Sequence, residues 1–188
     1  MQARLIYLMG PSGSGKDSLL AHARALLAAE AGVVFAHRCI TRPADAGGEN
    51  HVALTREEFL ARRKARLFAL DWESHGLCYG IGLELNLWLA KGSTVVVNGS
   101  RDYLREACNR YPELLPVAVA VSAPSLQRRL QARGREDAAG VARRLQRPAA
   151  DQSGLEPFET INNDGPLAQG GDSLVALIRQ HLGLTERV

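Results

Sequence analysis

A glycine-rich segment, Gly10-Pro11-Ser12-Gly13-Ser14-Gly15-Lys16, constrains the fold of this chain more than any other feature. It follows a short apolar stretch, Arg4–Met9, that is typical of a buried strand. It precedes a stretch rich in alanine and leucine, Lys16–Glu30, that is typical of a helix. Glycines let successive backbone N–H groups point into one concavity, and the helix N-terminus adds its dipole. The pattern Gly-x4-Gly-Lys in this context therefore predicts a phosphate-binding loop (P-loop) in which Lys16 reaches the outer phosphates of a nucleotide.

The residue after the lysine departs from the usual pattern. A Ser or Thr is expected there as a ligand of Mg²⁺, but the chain has Asp17 followed by Ser18. A carboxylate is a good ligand for a hard cation, but it adds negative charge beside ATP. Asp17, Ser18 and water are therefore alternative magnesium ligands, and the sequence leaves the choice open. The residues predicted to hold ATP are Gly10, Pro11, Ser12, Gly13, Ser14, Gly15, Lys16, Asp17 and Ser18.

Strand and helix patterns alternate along the remaining chain. Further strands are predicted at Val33–Arg38, Leu67–Asp71, Thr94–Asn98, Pro116–Val121 and Phe158–Ile161. Further helices are predicted at 55–66, which opens on the capping box Thr55-Arg56-Glu57-Glu58, and at 83–91, 101–110, 124–133, 136–147 and 172–182. This order predicts an α/β three-layer sandwich with a mostly parallel sheet and helices on both faces. No linker or repeat interrupts the 188 residues, so we expect a single domain over 1–188.

Composition excludes several classes of protein. No apolar run approaches the roughly 20 residues that span a bilayer, so no membrane partner is expected. The three cysteines have no metal-ligand spacing, which favours reduced thiols and a cytoplasmic location. A net charge of +3 is too small to predict a nucleic-acid partner. A homodimer is compatible with the sequence, but the oligomeric state is not predicted by it.

The segments after the P-loop carry a family resemblance over nearly the whole chain. They are His37-Arg38-Cys39-Ile40-Thr41-Arg42-Pro43, Gly48-Glu49, Asp71-Trp72-Glu73-Ser74-His75-Gly76-Leu77-Cys78-Tyr79-Gly80, Ala132-Arg133-Gly134-Arg135 and Ile161-Asn162-Asn163-Asp164. In this order they resemble guanylate kinase, a P-loop kinase. The resemblance implies an acceptor-binding insert at about 37–82 and an arginine-rich lid at about 133–150. It also implies that Arg38, Arg42 and Tyr79 grip the phosphate of the acceptor, and that Asn163 lies near the adenine.

The lid is expected to supply cationic catalytic residues. The resemblance implies that Arg133 or Arg135, together with Arg144, closes over the transferred phosphoryl group alongside Lys16. Seven arginines fall between Arg128 and Arg147, and the alternative explanations are a solvated basic face and a nucleic-acid patch. A lid is favoured because the run follows the fifth predicted strand and lacks the interleaved aromatic residues that stack on bases.

The departures from guanylate kinase concern the substrate. The position of its guanine-reading glutamate holds Asp71, the position of the serine holds Ile81, and the base-side tyrosine is missing near His51. A site that reads a base by hydrogen bonds loses on the order of 10⁴-fold discrimination without those groups. A further family carboxylate is replaced by Asn98. The residues expected to bind the acceptor phosphate (the phosphate grip) are therefore present, while those that would recognise a base (the base reader) are absent.

This combination resembles the ribose 1,5-bisphosphate phosphokinase family of phosphonate degradation, which makes 5-phosphoribosyl 1-diphosphate from ATP and ribose 1,5-bisphosphate. The resemblance rests on Asp17 after the lysine, Thr41-Arg42-Pro43, the segment 75–81 and Val97-Asn98-Gly99-Ser100-Arg101. It implies ATP and Mg²⁺ as cofactors and a sugar phosphate as substrate, with Asn98 as a further substrate-binding residue. Asp71 is either a further substrate-binding residue, through a sugar hydroxyl or a metal-bound water, or an ordinary surface residue. A nucleoside monophosphate kinase is the first alternative. The second is a non-catalytic guanylate-kinase-like module that binds phosphopeptides, which the intact P-loop disfavours.

Overall fold

The fold was analysed in a computed structural model that describes residues 5–132 and 159–182. The strands are β1 (Leu5–Met9), β2 (Val33–Phe35), β3 (Cys39–Ile40), β4 (Val52–Ala53), β5 (Phe68–Ser74), β6 (Leu77–Gly82), β7 (Thr94–Asn98), β8 (Leu115–Ala120) and β9 (Glu159–Asn162). The helices are α1 (Lys16–Leu26), α2 (Arg56–Lys64), α3 (Glu84–Ala90), α4 (Leu104–Arg110), α5 (Ala123–Ala132) and α6 (Leu167–Leu182). Short 3₁₀ turns lie at Ala44–Ala46 and Arg101–Tyr103.

The core of the molecule is a five-stranded parallel sheet in the order β2-β7-β1-β8-β9. Both central strands, β1 and β7, are buried along their whole length, as continuous apolar runs covered on two faces should be. Tyr7 and alternate residues of β1 pack on one side with α3 and α4, while Ile6 and Leu8 pack on the other with α1 and α6. The predicted α/β sandwich with helices on both faces is confirmed.

A second, four-stranded sheet in the order β4-β3-β6-β5 was not predicted. It is mixed, because β6 runs antiparallel to both β3 and β5 while β3 and β4 are parallel. The predicted strand at Leu67–Asp71 therefore belongs to this sheet and not to the parallel one. β6 escaped prediction because Gly80 and Gly82 lower its strand propensity. Gly80 is needed there because a Cβ would lie 2.6 Å from the ring of Phe68.

Other predicted boundaries need correction. The strand expected at Val33–Arg38 ends at Phe35, where the chain leaves the parallel sheet and enters the second one at Cys39. The helix expected from Arg101 is preceded by a 3₁₀ turn and begins at Leu104. Of the capping box, Thr55 Oγ1 accepts from the Glu58 N–H at 3.1 Å, while the Glu58 carboxylate pairs with Arg62 one turn on. The helix predicted at 136–147 lies outside the described residues.

The described helices were also examined for bilayer-spanning length. None of those within 5–132 and 159–182 combines the length and the apolar character needed to cross a membrane.

Candidate functional site

A cleft of about 700 Å³ opens between the two sheets. Its walls are the P-loop with Asp17, the arginines Arg38 and Arg42, the aromatic pair Trp72 and Tyr79, and residues 99–102 after β7. The carboxyl ends of parallel strands meet at one edge, so β1 and β7 bring the P-loop and residues 99–102 together. The second sheet supplies the opposite wall. The cleft is therefore where the loop and most of the predicted acceptor residues converge.

The P-loop is preorganised without a ligand. Lys16 Nζ donates to the carbonyl oxygens of Gly10 at 2.7 Å and Pro11 at 3.1 Å, which holds the ammonium group across the loop. Gly13 and Gly15 have φ values of +91° and +90°, a conformation that side chains with a Cβ rarely adopt. α1 begins at Lys16, so its first N–H groups face the concavity. This arrangement is suited to bind the phosphates of a nucleotide.

Asn163 lies behind the loop and does not line the cleft. Its Nδ2 donates to the Ser14 carbonyl oxygen at 2.6 Å, and the side chain is buried. A Cβ on Gly15 would lie 2.5 Å from that Nδ2 atom, so the amide packs directly on the loop backbone. Arg129 joins this contact, donating to the Ser14 carbonyl at 3.3 Å and to the Asn163 carbonyl at 2.7 Å. The arrangement gives Asn163 a role in shaping the P-loop, while its predicted contact with adenine stays a prediction.

Replacing Asn163 with alanine should lower stability and weaken ATP binding together. The Ser14 carbonyl would lose its shorter buried hydrogen bond, at a cost of about 1–3 kcal/mol in the free energy of unfolding. We expect the KM for ATP to rise several-fold with kcat nearly unchanged. The measurements are urea unfolding of the ligand-free protein and steady-state kinetics, with Asn109→Ala, an exposed position on α4, as the control. A normal stability of the ligand-free variant would contradict the supporting role.

Asp17 lines the cleft and is hydrogen-bonded to Asn98, which ends β7 and lies buried outside the cleft lining. Asn98 Nδ2 donates to Asp17 Oδ1 at 2.8 Å. Asn98 is buried, and its Oδ1 atom has no hydrogen-bond partner among the described residues. Two hard oxygen donors, one on each side chain, thus fit the oxygen ligation that Mg²⁺ requires. Ser18, the other predicted ligand, is exposed and, like Asn98, lies outside the cleft lining. The predicted contact of Asn98 with substrate stays a prediction.

The predicted acceptor arginines are held by one carboxylate. Arg38 Nε donates to Glu49 Oε2 at 2.8 Å, its Nη2 contacts Oε1, and Arg42 Nη2 lies 3.8 Å from the same Oε1. Arg42 is also fixed by His51, whose Nδ1 lies 3.2 Å from Nη2. The Arg42 Nε atom is buried without a hydrogen-bond partner among the described residues. The Glu49 carboxylate thus neutralises two guanidinium groups. A phosphate that enters the cleft would replace it as their anionic partner.

Tyr79 extends this group into a row of three aromatic rings. The Arg38 guanidinium lies over the Tyr79 ring, 5.0 Å from its centroid. Trp72 stacks between Tyr79, at 5.5 Å, and Tyr103, at 5.6 Å. Burial raises the pKa of the Tyr79 hydroxyl, although Arg38 and Arg42 act in the opposite direction. The hydroxyl is therefore protonated near neutral pH and available as a hydrogen-bond donor to an anion.

A tyrosine beneath the sheet edge fixes the wall after β7. The Tyr7 hydroxyl accepts from the Ser100 N–H at 2.8 Å and donates to the Ser100 carbonyl at 2.9 Å. Burial raises the pKa of this phenol well above its ordinary value, so it remains protonated and makes both bonds. Gly99 lies against the ring, where a Cβ would be 2.1 Å from Tyr7 Cζ. Residues 99–101 are therefore held rigidly at the cleft.

Two positions tied to substrate choice are turned away from the cleft. The Asp71 carboxylate pairs with Arg63 of α2, with 2.7 Å between Oδ2 and Nε, and it does not line the cleft. Ile81 is fully buried in the core. Strand residues alternate between faces, so Trp72 and Tyr79 point into the cleft while their neighbours Asp71 and Gly80 face α2. The predicted contact of Asp71 with substrate is not supported by this placement and stays a prediction.

Arg133, Arg135 and Arg144 lie outside the described residues, so their predicted catalytic role stays a prediction.

Several residues of the site were missed by sequence reasoning. Glu49 was noticed within a motif, but no role followed from it. Tyr7 sits in an apolar run where a core position is the ordinary interpretation, Trp72 stands between Asp71 and Glu73 in a predicted strand region, and Arg129 is one arginine among seven in its region. In a chain with 20 arginines, arginine itself carries little positional information. Two signals could have pointed to the role of Tyr7. One is Gly99, a residue without a side chain where a large ring packs, and the other is the segment 97–101 that contains it.

Comparison with known proteins identifies close relatives. The curated protein "Ribose 1,5-bisphosphate phosphokinase PhnN" of Desulfomicrobium baculatum is 58% identical over 176 residues, covering 94% of each chain. The proteins of the same name from Thiobacillus denitrificans and Klebsiella pneumoniae are 54% and 49% identical, covering 94% and 96% of this chain and 93% and 95% of their own. No protein-family model matches the chain.

Among solved structures, a guanylate kinase from Anaplasma phagocytophilum has a TM-score of 0.67 at 20% identity, covering 97% of this chain and 88% of its own. A gluconokinase from Sinorhizobium meliloti has a TM-score of 0.53 at 19% identity, with 97% and 95% covered. These likenesses establish the P-loop kinase fold. Because identities of 49–58% extend over nearly the whole length of both partners, the chain belongs to the ribose 1,5-bisphosphate phosphokinase family.

Proposed function

We propose that the chain transfers the γ-phosphoryl group of ATP to ribose 1,5-bisphosphate, giving 5-phosphoribosyl 1-diphosphate and ADP, as a cytoplasmic enzyme of phosphonate catabolism. The observation that carries the proposal is the pairing of an intact P-loop with a phosphate grip that lacks a base reader. Arg38, Arg42 and Tyr79 face the cleft, whereas Asp71 and Ile81, the positions where guanylate kinase reads its base, are turned elsewhere. The close relatives bear the name of this activity.

The chemistry needs positioning and charge neutralisation more than proton transfer. An oxygen of the phosphate on ribose C1 attacks the γ-phosphorus, the new P–O bond forms, and the bond to the bridging oxygen of ADP breaks. The attacking phosphate oxygen is ionised near neutral pH, so no general base is required. The transition state spreads charge over the γ-phosphoryl oxygens, and fixed cations stabilise it.

The residues divide into those that would bind ATP, the phosphoryl donor, and those that would bind the phosphoryl acceptor. Lys16 and the loop N–H groups would hold the β- and γ-phosphates. Arg38 and Arg42 would release part of their contact with Glu49 and bind the C1 phosphate, with the neutral Tyr79 hydroxyl as a further donor. Gly48 places the two groups side by side, because a Cβ there would lie 3.7 Å from Asp17 Oδ2 and 3.8 Å from Arg42 Nη2. The C1 phosphate of the acceptor would therefore lie next to the P-loop side of the cleft, where ATP would bind.

The magnesium ligands proposed are Asp17 and Asn98, bound directly or through water. When bound, Mg²⁺ would neutralise charge on the β- and γ-phosphates. The Asn98–Asp17 hydrogen bond orients the carboxylate and leaves Asp17 Oδ2 free to face the cleft. No cluster of three or more Asp, Glu, His or Cys side chains occurs within the described ranges, so most remaining ligands would come from nucleotide and water.

The proposed function is tested by supplying alternative acceptors. The purified protein is incubated with ATP, Mg²⁺ and either ribose 1,5-bisphosphate or GMP, and ADP and the phosphorylated product are followed. We expect turnover of ribose 1,5-bisphosphate and little turnover of GMP. Faster turnover of GMP would favour the nucleoside monophosphate kinase, and turnover of neither acceptor would favour a non-catalytic binding module.

Replacing Arg42 with methionine should damage acceptor binding selectively. Loss of a charge-assisted grip should lower kcat/KM for ribose 1,5-bisphosphate on the order of 10²-fold. The KM for ATP should stay within about twofold, because Arg42 lies on the acceptor wall. Arg105→Met removes an exposed arginine of α4 that lies outside the cleft lining and serves as the matched control. An equal fall in kcat/KM for ATP and for ribose 1,5-bisphosphate would contradict the placement of Arg42 at the acceptor phosphate.

A further inference from the structure

Arg101 is a cleft residue to which neither the P-loop nor the acceptor grip assigns a task. It lines the cleft as the first residue of the 3₁₀ turn Arg101–Tyr103. Its Nε atom is buried, and no hydrogen bond or ion pair joins it to any other residue in the described part of the chain. Arg42 Nε is also buried without a partner, but the other cleft cations are paired through other atoms: Lys16 is bonded to loop carbonyls, and Arg38 and Arg42 share Glu49. A buried guanidinium N–H without an acceptor favours a ligand that provides one.

The backbone beneath Arg101 is unusually well fixed. The Tyr7 hydroxyl holds both the N–H and the carbonyl of Ser100, and Gly99 packs on the Tyr7 ring. A guanidinium group on a rigid base loses less conformational freedom when it binds an anion bidentately. The neighbouring Asp102 also lines the cleft, and it is exposed.

Arg38 and the turn that begins at Arg101 lie at opposite ends of the aromatic row. Arg38 covers Tyr79 at one end, and Arg101 begins the turn that carries Tyr103 at the other, with Trp72 stacked between the two tyrosines. Trp72 itself lines the cleft. The cleft therefore has two cationic positions separated by an apolar ring. A ribose bisphosphate has the matching form, with two phosphates separated by a furanose ring and one methylene group.

We propose that Arg101 binds the phosphate on C5 of the acceptor, the one that is not phosphorylated, and so selects for a sugar that carries two phosphates. This inference rests on the proposed function, because it assumes that Arg38 and Arg42 hold the C1 phosphate. In this arrangement the guanidinium of Arg101 donates to two oxygens of the distal phosphate through Nε and one Nη. The furanose ring lies along Trp72.

The test compares acceptors that carry one phosphate each. Arg101→Met should raise the KM for ribose 1,5-bisphosphate and the inhibition constant of ribose 5-phosphate, each on the order of 10- to 100-fold. The inhibition constant of ribose 1-phosphate and the KM for ATP should stay within about twofold. Arg101→Lys, which keeps the charge but loses the planar fork, should give an intermediate loss. Arg105→Met is the matched control, and circular dichroism with thermal unfolding establishes that each variant is folded.

The outcomes separate the inference from the proposed function. Greater weakening of ribose 1-phosphate than of ribose 5-phosphate by Arg101→Met would place Arg101 at the acceptor phosphate, and equal weakening of the two would show no preference for the distal phosphate. Either result would overturn the inference. Unchanged constants in that variant, or no inhibition of the unaltered protein by ribose 5-phosphate, would also overturn it. In each of these cases turnover of ribose 1,5-bisphosphate by the unaltered protein leaves the proposed function intact. If the unaltered protein does not phosphorylate ribose 1,5-bisphosphate, the proposed function fails and the inference fails with it.

Discussion

Replacing Lys16 with alanine should reduce kcat with ribose 1,5-bisphosphate by at least about 10³-fold, since removal of one preorganised charge at a phosphoryl transition state costs on this order. The ammonium group lies across the loop, bonded to the carbonyls of Gly10 and Pro11, and is positioned to exchange those bonds for nucleotide phosphates. The melting temperature should change little, because the two carbonyls stay close to solvent in the variant. Stopped-time measurement of ADP formation provides the rate.

Two further variants sharpen this prediction. Lys91→Ala removes an exposed lysine far from the loop in sequence and should leave kcat unchanged. Lys16→Arg keeps the charge but replaces a compact point charge with a planar group that cannot follow the same path across the loop, so it should recover little activity. Retained turnover in Lys16→Ala would exclude the P-loop as the nucleotide site.

Replacing Gly99 with alanine should produce the largest combined loss of stability and activity. The new Cβ would lie 2.1 Å from Tyr7 Cζ, and Tyr7 is fully buried, so neither group can move aside without disturbing β1 or β7. Overpacking of this kind costs about 1–3 kcal/mol or more. For a chain of this length, each kcal/mol lowers the melting temperature by about 2–4 °C. Activity should fall as well, because displacement of Tyr7 releases Ser100 and with it Arg101.

Gly32→Ala is the control for backbone strain without collision. Gly32 has a φ of +92°, but nothing lies within 4 Å of the position its Cβ would take. Its cost should therefore be limited to the strain of a left-handed residue, about 1 kcal/mol, with normal kinetics. Urea unfolding and steady-state kinetics of both variants provide the comparison. Equal losses of stability in the two variants would show that the Tyr7 ring does not restrict Gly99.

Much of the fold was predictable because its signals are local. β7 was predicted with the bounds that the structure has, since Thr94–Asn98 is centred on three consecutive β-branched valines and is followed by Gly99. The P-loop was predictable because glycines, lysine and the flanking elements lie within a few residues of one another. The start of α2 was predictable from Thr55 and Glu58 alone. By contrast β3 and β4 contain two residues each, and no window of such length carries a periodic signal.

The sequence by itself determined the P-loop, the α/β class and the family, because each depends on residue types at short spacing. Only the tertiary structure decided which of the singled-out residues meet. The alternation of β5 and its register with β6 turned Asp71 towards Arg63 and left Trp72 and Tyr79 in the cleft. Asn163 reaches Ser14 across 149 residues, and Tyr7 reaches Ser100 across 93. Such contacts depend on strand register and on the packing of distant segments, and a one-residue change of register would move every side chain to the opposite face.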